Sequence, residues 1–339
     1  MTGSGVRALW SSVAPVFGPG RFLLVRLVGQ LHGEVRETTA LYLGSGVNLP
    51  FLRHYFFGAA TTEVLGWRFT PLWPPWSRGS RASPADLHLR DVPPLWGWAL
   101  PSTPGGLRVP AWVRQELRLS QPVHGLHWPV PRRAAREVGR HLRRRRWTLE
   151  LSTDERDLEA LYREYYLPYV TVRHGEDAVV VSWEHFLGRA RGHAVAWLRQ
   201  GHRRIAGMVL FRRRTVLRFG WFGAVSCPAP AGASEVLDAL VLRHCLERGV
   251  TNVVLGNARP CEADGVFRYK RRLGATARSC PFPQSTLEID VRSGHSGVLA
   301  CLRERPLLVR EHGRLRRADL GGAADPTSAL QRVPHGDAG

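Results

Sequence analysis

Lysine is all but absent from this chain. Of 48 basic side chains, only Lys270 is not arginine. One position therefore carries a compact ammonium on a flexible stem, where every other basic position carries a rigid, permanently charged fork. Acidic residues are also few, 28 against 48, which leaves a formal charge of +20 and a pI near 11.2. That balance points to an acidic partner: nucleic acid, a phosphorylated cofactor or an anionic lipid surface. An arginine-biased, GC-rich genome accounts for the arginine count equally well, and less well for the sign.

Cysteine is sparse and unpatterned. Cys227, Cys245, Cys261, Cys280 and Cys301 form no CxxC pair and have no histidine at zinc spacing. This argues against a metal ribbon, and an odd number suits free thiols in a reducing compartment. Long apolar runs are missing too. Residues 22–31 are interrupted by Arg26 and Gln30 and are too short to cross a bilayer. Residues 8–17 lack the leading basic cluster of a signal peptide. The expectation is a soluble cytoplasmic protein that needs no metal and shows no obligate protein partner, with peripheral contact at the inner membrane face left open.

What is present suffices for a folded protein. A hydrophobic content of 44% supports a real core, and 339 residues suggest two domains of ordinary size. In the first third, residues 22–28, 39–43 and 86–90 read as strands, 106–110 begins a return, and 48–57 reads as a helix capped by Asn48. A tract dense in tryptophan and proline follows, with Trp67, Trp73, Trp76, Trp96 and Trp98 among Pro71, Pro74, Pro75, Pro93 and Pro94. Such a tract either caps a core or lines a cleft.

Residues 131–146 are the most basic stretch. Helical spacing places Arg132, Arg136, Arg140 and Arg143 or Arg144 on one face, a positive stripe of phosphate size. Interleaved aromatics, which stacking on bases requires, are absent. The stripe is either an anion contact or a solvated helix joining two domains.

From Trp147 the pattern becomes regular. Residues 147–151 alternate as a strand, and Ser152 with Glu155 makes a capping box for a helix running to Pro168. A second helix spans 182–189, and strands cover 194–199, 205–212 and 216–223. The loop 226–233 leads into an amphipathic helix from Ser234, with Leu237, Leu240, Val241 and His244 inward and Gly249 closing it. A buried strand at 251–256, a helix at 264–273 and a last strand at 286–291 complete the order. Beyond Arg305 the chain is basic and then rich in Ala, Gly, Asp and Pro, the composition of a disordered end.

This order is α+β. It resembles the GNAT acyltransferase fold, a mixed sheet flanked by helices, and within it the Fem-type and cell-envelope polysaccharide branch. The resemblance rests on Tyr166-Leu-Pro-Tyr169 with Arg173-His174-Gly175, on Ile205-Ala-Gly207 and on Val253-Val-Leu-Gly256. Its most specific part is Asp264-Gly-Val-Phe-Arg-Tyr-Lys270 with Leu273-Gly-Ala275. It implies a degenerate half at 1–130, an acyltransferase domain at 131–292 and a helix with a tail at 293–339.

The activity implied is transfer of an acetyl, acyl or aminoacyl group from a thioester or ester to an amine, without a covalent intermediate. The implied donor is acetyl-CoA or another acyl-CoA, with aminoacyl-tRNA as the alternative. The implied acceptor is a small molecule, glycan or peptide bearing phosphate. The turn Gly232, Ala233 and Ser234 would hold a pyrophosphate at a helix N-terminus. It departs from the family pattern in lacking the basic-x-x-Gly-x-Gly signature and in containing Pro228 and Pro230. Lys270 would stabilise the oxyanion, with Asp264, His174 or Glu176 as base. Arg173, Asn257, Arg259 and Tyr269 would contact substrate, only one of Tyr269 and Lys270 facing the cleft. A non-catalytic scaffold that binds nucleic acid or an anionic membrane is the competing reading.

Overall fold

Strands form where β-branched and aromatic residues alternate with polar ones, and helices where apolar positions recur every three or four residues. In this computed structural model those patterns build an α+β protein. The described residues are 21–69, 85–92, 94, 106–119, 130–175, 178, 180–226, 228–281, 284–291, 296–311 and 314–318. The chain opens with β1 (Arg21–Leu31), β2 (Glu37–Gly44), α1 (Leu49–Phe56), β3 (Phe57–Phe69), β4 (Leu87–Val92), β5 (Leu107–Pro110) and β6 (Val113–Arg118). It continues through α2 (Arg132–Arg145), β7 (Trp147–Ser152), α3 (Glu155–Ala160), a π-helical stretch (Leu161–Tyr166), α4 (Leu167–His174) and α5 (Trp183–Ala190). Then come β8 (Ala194–Gln200), β9 (Arg203–Arg213), β10 (Val216–Ala224), α6 (Ala233–Glu247), β11 (Asn252–Ala258), α7 (Gly265–Arg272) and β12 (Thr276–Arg278). The last elements are β13 (Thr286–Val291), α8 (Ser296–Glu304), β14 (Leu308–Glu311) and β15 (Arg314–Arg317).

These elements fall into two units, one of residues 1–113, 258–267 and 278–339, the other of residues 114–257 and 268–277. Unit 1 carries a six-stranded sheet in the order β3-β1-β2-β4-β13-β5. It is mixed: β2 and β4 run parallel, and the remaining neighbours pair antiparallel. Leu27, Leu52, Phe56, Leu89, Ile289 and Leu302 are buried in one cluster that joins the sheet to α1 and α8. Each side chain of this kind contributes about 1.5–3 kcal/mol when fully buried. Within the sheet Glu288 is buried, and its carboxylate pairs with Arg90 and Arg108.

Unit 2 carries a seven-stranded sheet, β12-β6-β11-β10-β9-β8-β7. β10 and β11 run parallel, whereas β7 to β10 form antiparallel neighbours. Along β8 the side chains alternate between two cores. Val195 and Trp197 enter a cluster with Leu161 and Phe186, and Ala196 and Leu198 enter another with Val236 and Val241 of α6. A sheet buried on both faces explains why these strands read as continuous apolar runs.

The structure corrects several expectations. Asn48 precedes α1 but makes no capping bond; its amide is drawn instead into the polar cluster described below. The expected capping box at Ser152 and Glu155 does not form. Ser152 stays in β7 opposite Val195, and Asp154 caps α3 by accepting from the Arg156 N–H at 2.9 Å. The helix expected to end at Pro168 runs on to His174. Proline is tolerated there because it lies in the first turn of α4, after the π-helical stretch has already broken the regular bonding. Residues 286–291 form the expected strand, but it pairs with β4 and β5 in unit 1. Leu240 and His244, expected inward on α6, are half-buried, while Val236, Leu237 and Val241 are buried. Strand β3 and the β14–β15 hairpin were not anticipated. Of the tryptophan–proline tract, Trp73, Trp76, Trp96, Trp98, Pro71, Pro74, Pro75 and Pro93 lie outside the described residues, as do 319–339. Among the described residues no helix is long and apolar enough to cross a membrane.

Candidate functional site

The site begins where the sheet of unit 2 opens. β10 and β11 pair over three positions, Val216 with Asn252, Leu217 with Val253 and Arg218 with Val254. Both strands run on beyond that ladder, β10 to Ala224 and β11 to Ala258. An irregularity between Phe219 and Phe222 interrupts the β9–β10 ladder at the same level. On β11, Gly256 has φ +83°, a left-handed value that side chains rarely adopt and that turns the strand away from its partner. Inner-edge backbone groups of two interior strands are thereby released from pairing with each other. Such groups bind polar ligands well.

Lys270 stands at this opening. Its Nζ donates to the Asn257 carbonyl at 2.7 Å, and a Cβ placed on Gly256 would lie 3.5 Å from it. The neighbouring Tyr269 turns inward and donates its hydroxyl to Asp238 Oδ2 at 2.6 Å. Asp238 sits in the second turn of α6 and is only 7% exposed. Burial pushes its carboxyl up to about 7. The Tyr269 hydrogen bond and the Lys270 charge pull it back, and Glu235 raises it again. Burial, with the Asp238 charge, likewise drives the Tyr269 phenol well above its ordinary range. A buried carboxyl that titrates near neutrality beside an ammonium can accept a proton, the requirement for a general base.

The turn into α6 is less accommodating. Gly232 is left-handed (φ +83°) and stands against the His141 ring of α2. The Ala233 N–H donates to the Pro230 carbonyl at 2.9 Å. The Ser234 hydroxyl donates to Glu235 at 3.0 Å, which puts a carboxylate in the helix's first turn. Two prolines, a committed N–H and a carboxylate occupy the place where a pyrophosphate needs open donors, so this turn does not fit that group.

The remaining expected residues are scattered. Arg173 lies in the last turn of α4, bonded to the Tyr169 hydroxyl and stacked on its ring; Tyr169 meets Phe222 of β10 edge-on at 5.5 Å. His174 is exposed at the end of the same helix, and Glu176 lies outside the described residues. Asp264 and Arg259 belong to unit 1. Asp264 caps α7, accepting the Phe267 N–H at 2.8 Å. Arg259 is held between Phe51 and Trp112, with ring centroids 4.7 and 3.7 Å away. It donates to Asn48 Oδ1 at 2.6 Å and to the Ala111 carbonyl. Asn48 in turn donates to Asp91 Oδ2, which also accepts from Ser45.

Within unit 2 the structure thus brings Lys270, Tyr269 and Asn257 together with the turn that carries Gly232, Ala233 and Ser234, whereas Asp264 and Arg259 belong to unit 1. Asp238 was missed by sequence reasoning. Its signal was available: one carboxylate inside Val236-Leu-Asp-Ala-Leu-Val-Leu242, a run otherwise wholly apolar. The described residues hold no group of His, Cys, Asp and Glu that would bind a metal ion. Cys245, Cys261, Cys280 and Cys301 are free thiols.

No protein-family profile matches this chain, and no curated protein matches its sequence. Solved structures do. L-PGS from Bacillus licheniformis is 12% identical, with a TM-score of 0.41 over 80% of this chain and 83% of that one. The C-terminal domain of an Agrobacterium fabrum protein described as a lysylphosphatidylglycerol synthetase is 14% identical, with a TM-score of 0.40 over 82% and 87%. A GCN5-related N-acetyltransferase from Sphaerobacter thermophilus is 14% identical, with a TM-score of 0.35 over 75% and 72%.

Proposed function

We propose that unit 2 is a group transferase that moves an acetyl, acyl or aminoacyl group from an activated ester or thioester to an amine of a sugar or peptide. The observation that carries this reading is the parting of β10 and β11 beside Lys270 and the buried Asp238–Tyr269 pair. An acyl donor laid along the opening would place its carbonyl near an ammonium. In the transfer the amine nitrogen attacks that carbonyl carbon, and Lys270 stabilises the oxyanion. The C–O or C–S bond then breaks, and the alcohol or thiol leaves with the proton that a base took from the amine. Asp238 is assigned that base, with Tyr269 holding its carboxyl in place. The exposed arginines of α2 are assigned to phosphate on the donor or acceptor, as a tRNA arm, a nucleotide or an anionic headgroup supplies.

Titration calorimetry of the purified chain with acetyl-CoA, longer acyl-CoAs and charged tRNA tests this directly. Binding to one donor class that is lost in Lys270→Ala is the expected result. No binding to any donor at millimolar concentration would overturn the transferase reading and leave a scaffold that binds anions through α2.

A further inference from the structure

Among the described residues of unit 2, Gln115 is the side chain with both of its polar atoms buried and unbonded. It lies on β6, the strand between β11 and β12, where burial alternates along Val113, Gln115 and Leu117. Its neighbours Arg114 and Glu116 point the other way and pair with each other. Gln115 is 0% exposed. Both atoms of its amide are buried, and among the described residues neither has a hydrogen-bond partner. Buried polar groups nearly always find partners, because an unmade bond carries the full cost of stripping water from the group. Leucine or methionine at this position would fill the same face without that cost.

The position of Gln115 suggests what it is for. Leu117, two residues along the same face, packs in the core that contains Leu255 of β11 and Leu273, and Tyr269 packs against that core. The amide therefore points to the side of the sheet where Tyr269 meets Asp238. It lies one strand from Gly256, where β11 turns away from β10.

We propose that Gln115 is a ligand-binding residue whose amide pairs with an amide group of the bound molecule. A primary carboxamide offers an N–H donor and a C=O acceptor side by side, and its best complement offers the same two in reverse order. A charged phosphate would satisfy the N–H and leave the carbonyl facing like charge. An aliphatic chain would satisfy neither. The inference rests on the transfer reading only in taking the parted strands as the route of arrival. Its amide chemistry stands apart from the identity of the donor.

The test reads the side chain itself. In an 15N-labelled sample the Gln115 NH2 signals are assigned by their loss in Gln115→Met. Titration with N-methylacetamide, the amide alone, should shift them saturably, whereas tert-butanol of similar size should not. Gln115→Met should melt about 2 °C or more above the wild type, because an unsatisfied polar group has been replaced by an apolar one of similar length. Unmoved NH2 signals overturn the proposal. So does a lower melting point or failure to fold in Gln115→Met, since either would make the amide part of the core's own bonding. Failure of every acyl donor to bind would sink the transferase reading and leave this result as it stands.

Discussion

Replacing Asp238 by asparagine should stabilise the protein most at pH 8 and less at pH 5. The carboxyl rises from an ordinary 3.8 to about 7 on folding because α6 buries it. Between those values the unfolded chain releases the proton and the folded chain keeps it. Folded molecules then bind more protons than unfolded ones, so stability falls as pH rises from about 4 to 7 and is flat above. A tenfold change in affinity is worth about 1.4 kcal/mol, so the whole fall amounts to about 4 kcal/mol at most. Asparagine carries no charge to bury, and its carbonyl can still accept from the Tyr269 hydroxyl at the 2.6 Å now spanned to Asp238. Amide hydrogen exchange within α6 at pH 5, 6, 7 and 8 reads unit 2 separately from unit 1. The wild-type protection free energy should drop by about 1–3 kcal/mol across that range, and the Asp238→Asn curve should stay level. Parallel curves would show that the carboxyl is ionised throughout, and the reasoning about its burial would be wrong.

Other outcomes follow from the same structure. Lys270→Arg should lose about 100- to 1000-fold in turnover of whichever donor calorimetry identifies, because removing one oxyanion donor costs that much; near-normal turnover would mean that positive charge alone suffices. Reversing Arg136, Arg140 and Arg143 to glutamate should flatten the fall of donor affinity with salt, which depends on released counterions, and an unchanged slope would make α2 a solvated helix. Glu288→Gln should lower the urea midpoint of unit 1, since the buried carboxylate that pairs with Arg90 and Arg108 would be lost; an unchanged midpoint would show that the pairing adds nothing to stability. Gly223→Ala would set a Cβ 2.4 Å from the backbone of Tyr165 and Tyr166, and overpacking of that kind should cost about 1–3 kcal/mol. An unaltered melting point would show that the π-helical stretch yields.

Element types proved legible wherever the pattern was local. Strands 194–199, 216–223 and 286–291 and the helices at 182–189 and 264–273 all appear within a residue or two of where alternation and capping residues put them. What failed was non-local. Ser152 looked like a cap until pairing with Val195 kept it in β7. Pro168 looked like a stop because its tolerance depends on the π-helical stretch before it. Strand 286–291 was read correctly, and no local pattern could show that its partners, β4 and β5, lie almost two hundred residues earlier. The site divides in the same way. Lys270 stood out as a candidate because it is chemically unique in this sequence. Asp238 and Gln115 are ordinary residues in the sequence and become candidates only once they are seen to be buried, and burial is a property of the fold.

Arginine and lysine are used here according to their shapes, and this is why a single lysine is informative. Arg259 lies flat between the rings of Phe51 and Trp112 while its edge bonds Asn48 and Ala111. Only a planar, delocalised cation can stack on two faces and donate from its rim. Burial lowers its affinity for the proton to about 10, and it remains charged. Lys270 makes a different kind of contact. Its Nζ donates a short bond to the Asn257 carbonyl, beside a glycine whose missing Cβ would stand 3.5 Å away. The ammonium can release Asn257 and rotate towards a new negative charge without moving its stem. In a chain otherwise committed to arginine, the single lysine stands beside the parted strands, where a compact ammonium can turn on its flexible stem and a rigid fork cannot.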